Sequence, residues 1–235
     1  MVDWIAPTRP RAHVESALLT AILDGTFPPG SVLPGERTLA EQLGVTRPTL
    51  REALQRLAGD GWLTVAHGKP TVVNNFWEEG CLNVLGKLVE HPEHLPPDFI
   101  GQLLEVRYQL APAYARAAVS RSAAEVSAFL AEATDLDTPA DFARFDWRLH
   151  HLLTVRSGNP IYTLILNGFR GFYEVIARQY FAAEAARDLS RHFYADLRKA
   201  ATAGDAAQAE AVCCRVMAAS IEAWERSARL DRKED

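Results

Sequence analysis

The tightest constraint on this chain is a short interruption. Leu39, Ala40 and Leu43 put apolar side chains on one face of a short helix, and Leu50, Ala53, Leu54 and Leu57 do so on another. Only Gly44-Val45-Thr46 lies between them. A glycine turn of that length makes the two helices cross steeply. Thr46 is placed to cap the second helix. Pro48 falls in its first turn, where no intrahelical donor is needed. That helix runs to about Asp60 and is ended by Gly61. Upstream, Val14, Leu18 and Ile22, flanked by Ala17, Leu19 and Leu23, predict a helix over 11–25, closed by Gly25 and the rigid Phe27-Pro-Pro-Gly30. Downstream, β-rich runs at 62–66 and 71–74 flank His67-Gly68-Lys69-Pro70 and predict a hairpin. Helix, helix, turn, helix and hairpin within 77 residues make a winged helix-turn-helix.

After residue 77 every segment reads as helix, near 79–90, 98–119, 123–134, 140–156, 160–181, 185–202 and 205–229. Proline and glycine mark the breaks, as in His91-Pro92-Glu-His-Leu-Pro-Pro97 and Ser157-Gly-Asn-Pro160. The expected architecture is mainly α. A winged helix-turn-helix DNA-binding domain over 1–77 precedes a seven-helix bundle over 78–235, large enough to bury a core and a cavity.

Composition adds exclusions. Forty-eight per cent hydrophobic and 23% charged residues rule out a disordered chain or a fibre. No apolar run reaches membrane-spanning length, and the start, Met1-Val-Asp-Trp-Ile-Ala-Pro7, lacks the pattern of a secretory signal. Cys81, Cys213 and Cys214 form neither a disulfide framework nor a metal-ligand spacing, which fits a reducing cytosol. The net charge of −5 does not point to nucleic acid, although residues 1–77 balance seven basic against seven acidic side chains. The case for DNA rests on where the arginines sit.

Phe27-Pro-Pro-Gly-Ser-Val-Leu-Pro34, Glu36-Arg37, Leu39-Ala-Glu-Gln-Leu-Gly-Val-Thr-Arg47-Pro-Thr-Leu-Arg51-Glu-Ala-Leu54 and Gly61-Trp62-Leu63 follow one another in order. This string resembles the GntR family of bacterial transcription regulators. Asp60-Gly-Trp-Leu-Thr64, His67-Gly-Lys-Pro-Thr71, Asn74-Asn-Phe-Trp77, Ser157-Gly-Asn-Pro-Ile-Tyr162 and Leu164-Ile-Leu-Asn-Gly168 are similar to its FadR branch, and the likeness runs from about residue 11 to 226. The resemblance implies a homodimer that binds double-stranded operator DNA, represses fatty-acid degradation genes, may activate unsaturated fatty-acid synthesis genes and lets go of DNA when long-chain acyl-CoA binds. Arg47 and Arg51, four apart, share one helix face, from which arginine grips guanine O6 and N7 bidentately. Thr46 and Thr49 suit phosphate, and Arg37, in the first turn of the preceding helix, can reach the same groove. The tip His67, Gly68 and Lys69 resembles the wing that enters the minor groove. Pro48 stands where the branch has threonine. Trp62, Phe76 and Trp77 read as packing between domains.

Many GntR relatives hold a metal with one Asp and three His. Asp146 and His150 match the first half of that pattern, but the remaining positions read Tyr194 and Val216 or Met217, so no metal is expected. The resemblance instead implies an acyl-CoA pocket. Leu103, Val106, Leu149, Leu166, Phe169, Tyr173, Tyr180 and Tyr194 are candidates for its tunnel, and Arg107 and Asp146 are counted with the site. Arg107, in a mostly apolar helix, needs an acidic partner or water, and Asp146 is one candidate. Met217, Ser220 and Trp224 share one face of the last helix, and Ser220 and Trp224 match positions that respond to acyl-CoA. Met217 replaces a glycine and Cys214 an arginine of the branch. Two other readings remain open: a regulator of this fold answering a different small molecule, and a thioesterase. Against the latter, the chain has no nucleophile elbow and no phosphate loop.

Overall fold

A computed structural model describes residues 10–96 and 98–234, with the side chains of Pro92 and 227–234 left aside. The reading of the chain start as free of a secretory signal lies outside the described residues. The chain divides into two compact units, Met1–Leu95 and Pro96–Asp235.

In the first unit, α1 (Pro10–Leu23) buries Val14, Leu18, Leu19 and Ile22, the stripe expected from spacing. Helices α2 (Glu36–Gln42) and α3 (Arg47–Gly59) flank the glycine turn. Thr46 caps α3 by accepting from the Thr49 amide at 3.4 Å, with Pro48 in the first turn. Strands β1 (Leu63–Thr64) and β2 (Val72–Val73) pair antiparallel, Leu63 opposite Val73. They are shorter than the predicted runs, and Val32 adds a bridge to Val72. Trp62 is fully buried in the core of this unit and lies 4.6 Å from Phe76, centroid to centroid, whereas Trp77 is half exposed.

The single helix predicted over 79–90 is two short ones, α4 (Phe76–Glu79) and α5 (Asn83–Val89). Gly80 separates them in an extended conformation, where a Cβ would lie 2.3 Å from the Phe76 carbonyl oxygen. Gly61, at φ +91°, meets the same elbow: a Cβ there would lie 2.7 Å from the Glu79 carbonyl oxygen and the Gly80 Cα. Both positions require glycine because backbone rests on backbone. Val84 and Leu88 of α5 then join the core of the first unit. The compact units part after Leu95, whereas the change to an all-helical pattern suggested a boundary at 77/78.

The second unit holds six helices among the described residues. Helix α6 (Phe99–Leu130) unites the two predicted over 98–119 and 123–134, with non-helical angles at Ser122 where a break was expected. Helix α7 (Pro139–Arg156) opens with a capping box between Thr138 and Asp141. The helix predicted over 160–181 divides at Phe169 into α8 (Pro160–Gly168) and α9 (Arg170–Tyr180). Helices α10 (Glu184–Ala203) and α11 (Ala206–Glu234) are joined through Gly204 at φ +66°. Phe142, Phe145, Tyr194 and Leu197 sit at the centre of the core. Cys213 lies among them, and burial pushes its thiol up to about 12, so it stays protonated and inert.

Replacing Thr138 by Ala removes the acceptor for the Asp141 amide, and about 1 kcal/mol of stability should go with it. Urea unfolding checks this, and Thr138→Ser should restore most of the loss.

Candidate functional site

Two places gather functional side chains, one in each unit. On the first unit, α3 starts at the surface with Arg47 and Arg51 more than half exposed. Arg37 and Thr46 are exposed beside them and Thr49 is half-buried. The Thr46 and Thr49 hydroxyls lie 2.9 Å apart. The hairpin tip carries exposed His67, Gly68 and Lys69, with Gly68 at φ +69°, a conformation that bends the tip without strain. The helix start offers unsatisfied amides and cations facing outward, which suits a polyanion.

The second unit carries a cavity of about 100 Å³ between α6, α7, α8 and α9, partly open to solvent where Val106 is exposed. Leu103, Val106, Arg107, Leu166, Phe169, Tyr173 and Tyr180 line it, as the sequence suggested. Sequence reading passed over Tyr114, Tyr162, Ile165, Phe172, Ile176 and Phe181, which line it too. Tyr114 was within reach of spacing: it follows Arg107 by two turns on the same face of α6. Leu149, Tyr194 and Met217 are not on the cavity wall; all three pack in the core. Trp224 is half-buried on α11 and also off the wall.

Behind the apolar lining sits a polar network built around Asp146 on α7, which is 1% exposed. Arg107 Nη2 donates to its Oδ2 at 2.6 Å, Tyr173 donates to the same oxygen, and Tyr194 donates to Oδ1 at 3.1 Å. Burial pushes the Asp146 carboxyl up. The charge of Arg107, with the hydrogen bonds from Tyr173 and Arg107, outweighs that and holds it below the ordinary carboxylate range. Burial also opposes the charge on Arg107, but the Asp146 charge and hydrogen bond together with the neighbouring tyrosine oxygens outweigh it, and the guanidinium stays charged. Burial drives Tyr114, Tyr173 and Tyr194 well above the usual phenol range, so all three act as neutral hydroxyls.

His150 is held neutral, its pKa lowered to about 3 by burial first and by the Arg107 charge second. Arginine only donates, so the contact from Arg107 Nη2 to His150 Nε2 at 2.5 Å makes Nε2 the acceptor. The ring proton is then on Nδ1, which donates to the Tyr114 hydroxyl at 2.6 Å. Arg107 Nε is buried without an acceptor among the described residues, a donor available to a ligand oxygen. Asp146 and His150 thus face Arg107 and tyrosines. Among the described residues no group of three or more His, Cys, Asp or Glu is placed to hold a metal ion.

One further link leaves the cavity. Tyr180 on its wall donates to Ser220 Oγ on α11 at 2.9 Å, and Ser220 donates in turn to the Val216 carbonyl at 2.8 Å.

Residues 10–73 match the family model described as bacterial regulatory proteins, gntR family, and residues 74–233 match the FadR C-terminal domain. The chain is 45% identical over 219 residues to the fatty acid metabolism regulator protein of Shewanella denitrificans, covering 92% of this chain and 91% of that protein. It is 47% identical over 193 residues to the protein of the same name from Shewanella halifaxensis, covering 82% and 81%. A solved structure described as Lar, which controls expression of the Listeria monocytogenes agr system and mediates virulence, aligns at a TM-score of 0.59 and 18% identity, covering 92% of this chain and 96% of that one. That last likeness speaks for the fold alone.

The neutral histidine makes stability depend on pH. The unfolded chain takes up this proton near 6.5 and the folded one only near 3, so folding stability is full above 6.5 and is lost as pH falls through that window. The slope from this group reaches at most about 1.4 kcal/mol per pH unit. Urea unfolding at several pH values between 4 and 7 should show it, and His150→Gln should flatten it.

Proposed function

Since the chain belongs to the GntR family of bacterial regulatory proteins and ends in a FadR C-terminal domain, we propose that it works as a homodimer which binds operator DNA and is released by long-chain acyl-CoA. It is a transcription regulator of fatty-acid metabolism and not an enzyme; both matched families and the curated relatives are regulators. No helix among the described residues is long and apolar enough to cross a membrane.

In this reading Arg37, Arg47 and Arg51, with Thr46 and Thr49, enter the major groove, and His67, Gly68 and Lys69 take the minor groove. Fatty-acid degradation genes are repressed and unsaturated fatty-acid synthesis genes activated by the same bound dimer. The acyl chain enters the second unit, where each buried CH₂ contributes about 0.8 kcal/mol.

The observation that carries the effector reading is the cavity: apolar walls, an ionised network behind them, and Tyr180 hydrogen-bonded to Ser220 at its edge. Its size matters. An apolar cavity of roughly 150 Å³ admits one benzene, so a long acyl chain enters this one of about 100 Å³ only if the walls move. Ligand and closed walls therefore exclude each other, which is the differential affinity a switch needs. Outward movement of α9 breaks the Tyr180–Ser220 bond and carries the signal to α11. In the DNA-bound dimer the spacing of the two recognition helices is fixed by the half-sites, so a change in that spacing releases DNA.

Two measurements test the two halves. In a mobility-shift assay on a palindromic site, Arg47→Ala and Arg51→Ala should each weaken specific binding by about 1–3 kcal/mol and relax base preference. Lys69→Ala should weaken binding and flatten its salt dependence. Separately, palmitoyl- or oleoyl-CoA should release DNA while free CoA acts weakly. Ser220→Asn and Trp224→Arg should keep DNA binding and blunt release. Saturating oleoyl-CoA that binds the protein but leaves operator affinity unchanged would sink the effector mechanism and spare the DNA-binding one.

A further inference from the structure

The recognition-helix arginines do not stand alone. Glu36, the first residue of α2, puts Oε2 2.7 Å from Arg51 Nε and 3.6 Å from Arg47 Nη2. One carboxylate oxygen of one helix therefore serves both long cations of the next. Its own position is favourable, since a negative charge in the first turn of a helix meets the positive end of the backbone dipole. The Glu36 side chain is 34% exposed against 56% and 59% for Arg47 and Arg51, so the carboxylate is more shielded from water than the guanidinium groups it pairs with.

We propose that Glu36 is a positioning residue for base reading, which fixes Arg51 and Arg47 in a reading posture before DNA arrives. The atoms engaged say how. With Nε of Arg51 held by Glu36, both Nη groups stay free, and they form the fork that pairs end-on with guanine O6 and N7. Arg47 is drawn toward the same oxygen by charge alone, at 3.6 Å, and keeps all its donors. Holding a flexible cation in place removes rotamer freedom before binding, so less is lost in the complex. The negative charge also works against phosphate, which attracts arginine regardless of sequence. Glu36 thus lowers attraction to the backbone and raises discrimination between bases.

The inference rests on α3 as the recognition helix, and the test separates the two claims. The full-length protein selects its preferred duplex from random-sequence DNA. Affinity is then measured for that duplex, for single-base variants of it and for unrelated DNA, with thermal unfolding alongside. Glu36→Gln should unfold near wild type, bind unrelated DNA at least as tightly, and lose about tenfold in the ratio of specific to unrelated binding. Glu36→Asp, which keeps the charge, should recover part of that ratio. In an Arg47→Ala/Arg51→Ala background, Glu36→Gln should change nothing further. A ratio unaltered by Glu36→Gln overturns the assignment of Glu36 while the arginine double variant still loses preference. Equal weakening on all DNA overturns it as well, as does a further change of base preference in the double-variant background, since Glu36 then reads a base itself. Undiminished preference in the arginine double variant overturns the recognition-helix reading and this inference with it.

Discussion

A carboxylate taken out of water has to be surrounded by donors or it stays protonated. Asp146 meets that requirement with donors from three other helices: Arg107 of α6, Tyr173 of α9 and Tyr194 of α10. The charge is thus a joint between four helices, and the cavity exists beside it because those helices are held at their separation. Removing one partner of such a buried pair typically costs about 3–5 kcal/mol, whereas replacing the whole set by fitted apolar groups is often neutral. The network is therefore weak evidence for stability as such. What it does supply is direction: an arginine, a histidine of fixed tautomer and a ring of phenols can be satisfied in few arrangements, and the helices inherit that restriction.

The first unit solves a different problem with the same means. Its cations must remain exposed to meet a polyanion, yet a loose arginine is a poor reader of bases. In the reading proposed above, the Glu36 carboxylate and the Thr46 cap at the start of α3 restrain the recognition face without burying it. Arg107 is paired in the interior, Arg51 by a half-buried carboxylate at the surface.

Much of this was legible in the chain. Thr46 as cap, the stripe of α1 and the need of Arg107 for an acid such as Asp146 all follow from local chemistry and helix period. Several features were not legible for physical reasons. Gly80 reads as a tolerable residue inside an amphipathic helix. Gly61 meets it from far along the chain: its Cα rests on the backbone of Glu79 and Gly80, a long-range contact that no window contains. Phe169 divides α8 from α9 although the sequence there runs on with helical spacing. Trp62 and Phe76 suggested a surface for another domain, yet Trp62 completes the core of its own unit. Met217 and Leu149 share the spacing of a pocket wall and lie one layer behind it. Periodicity gives a face, not the depth at which that face comes to rest.

The small size of the cavity has a kinetic consequence. If the proposed long-chain ligand binds here, it exceeds the space between α6, α7, α8 and α9, so its capture includes a step in which those walls part. The observed rate of capture would then level off as ligand concentration rises. A regulator working in that way would filter time as well as chemistry, because brief surges in ligand pass before the walls have opened.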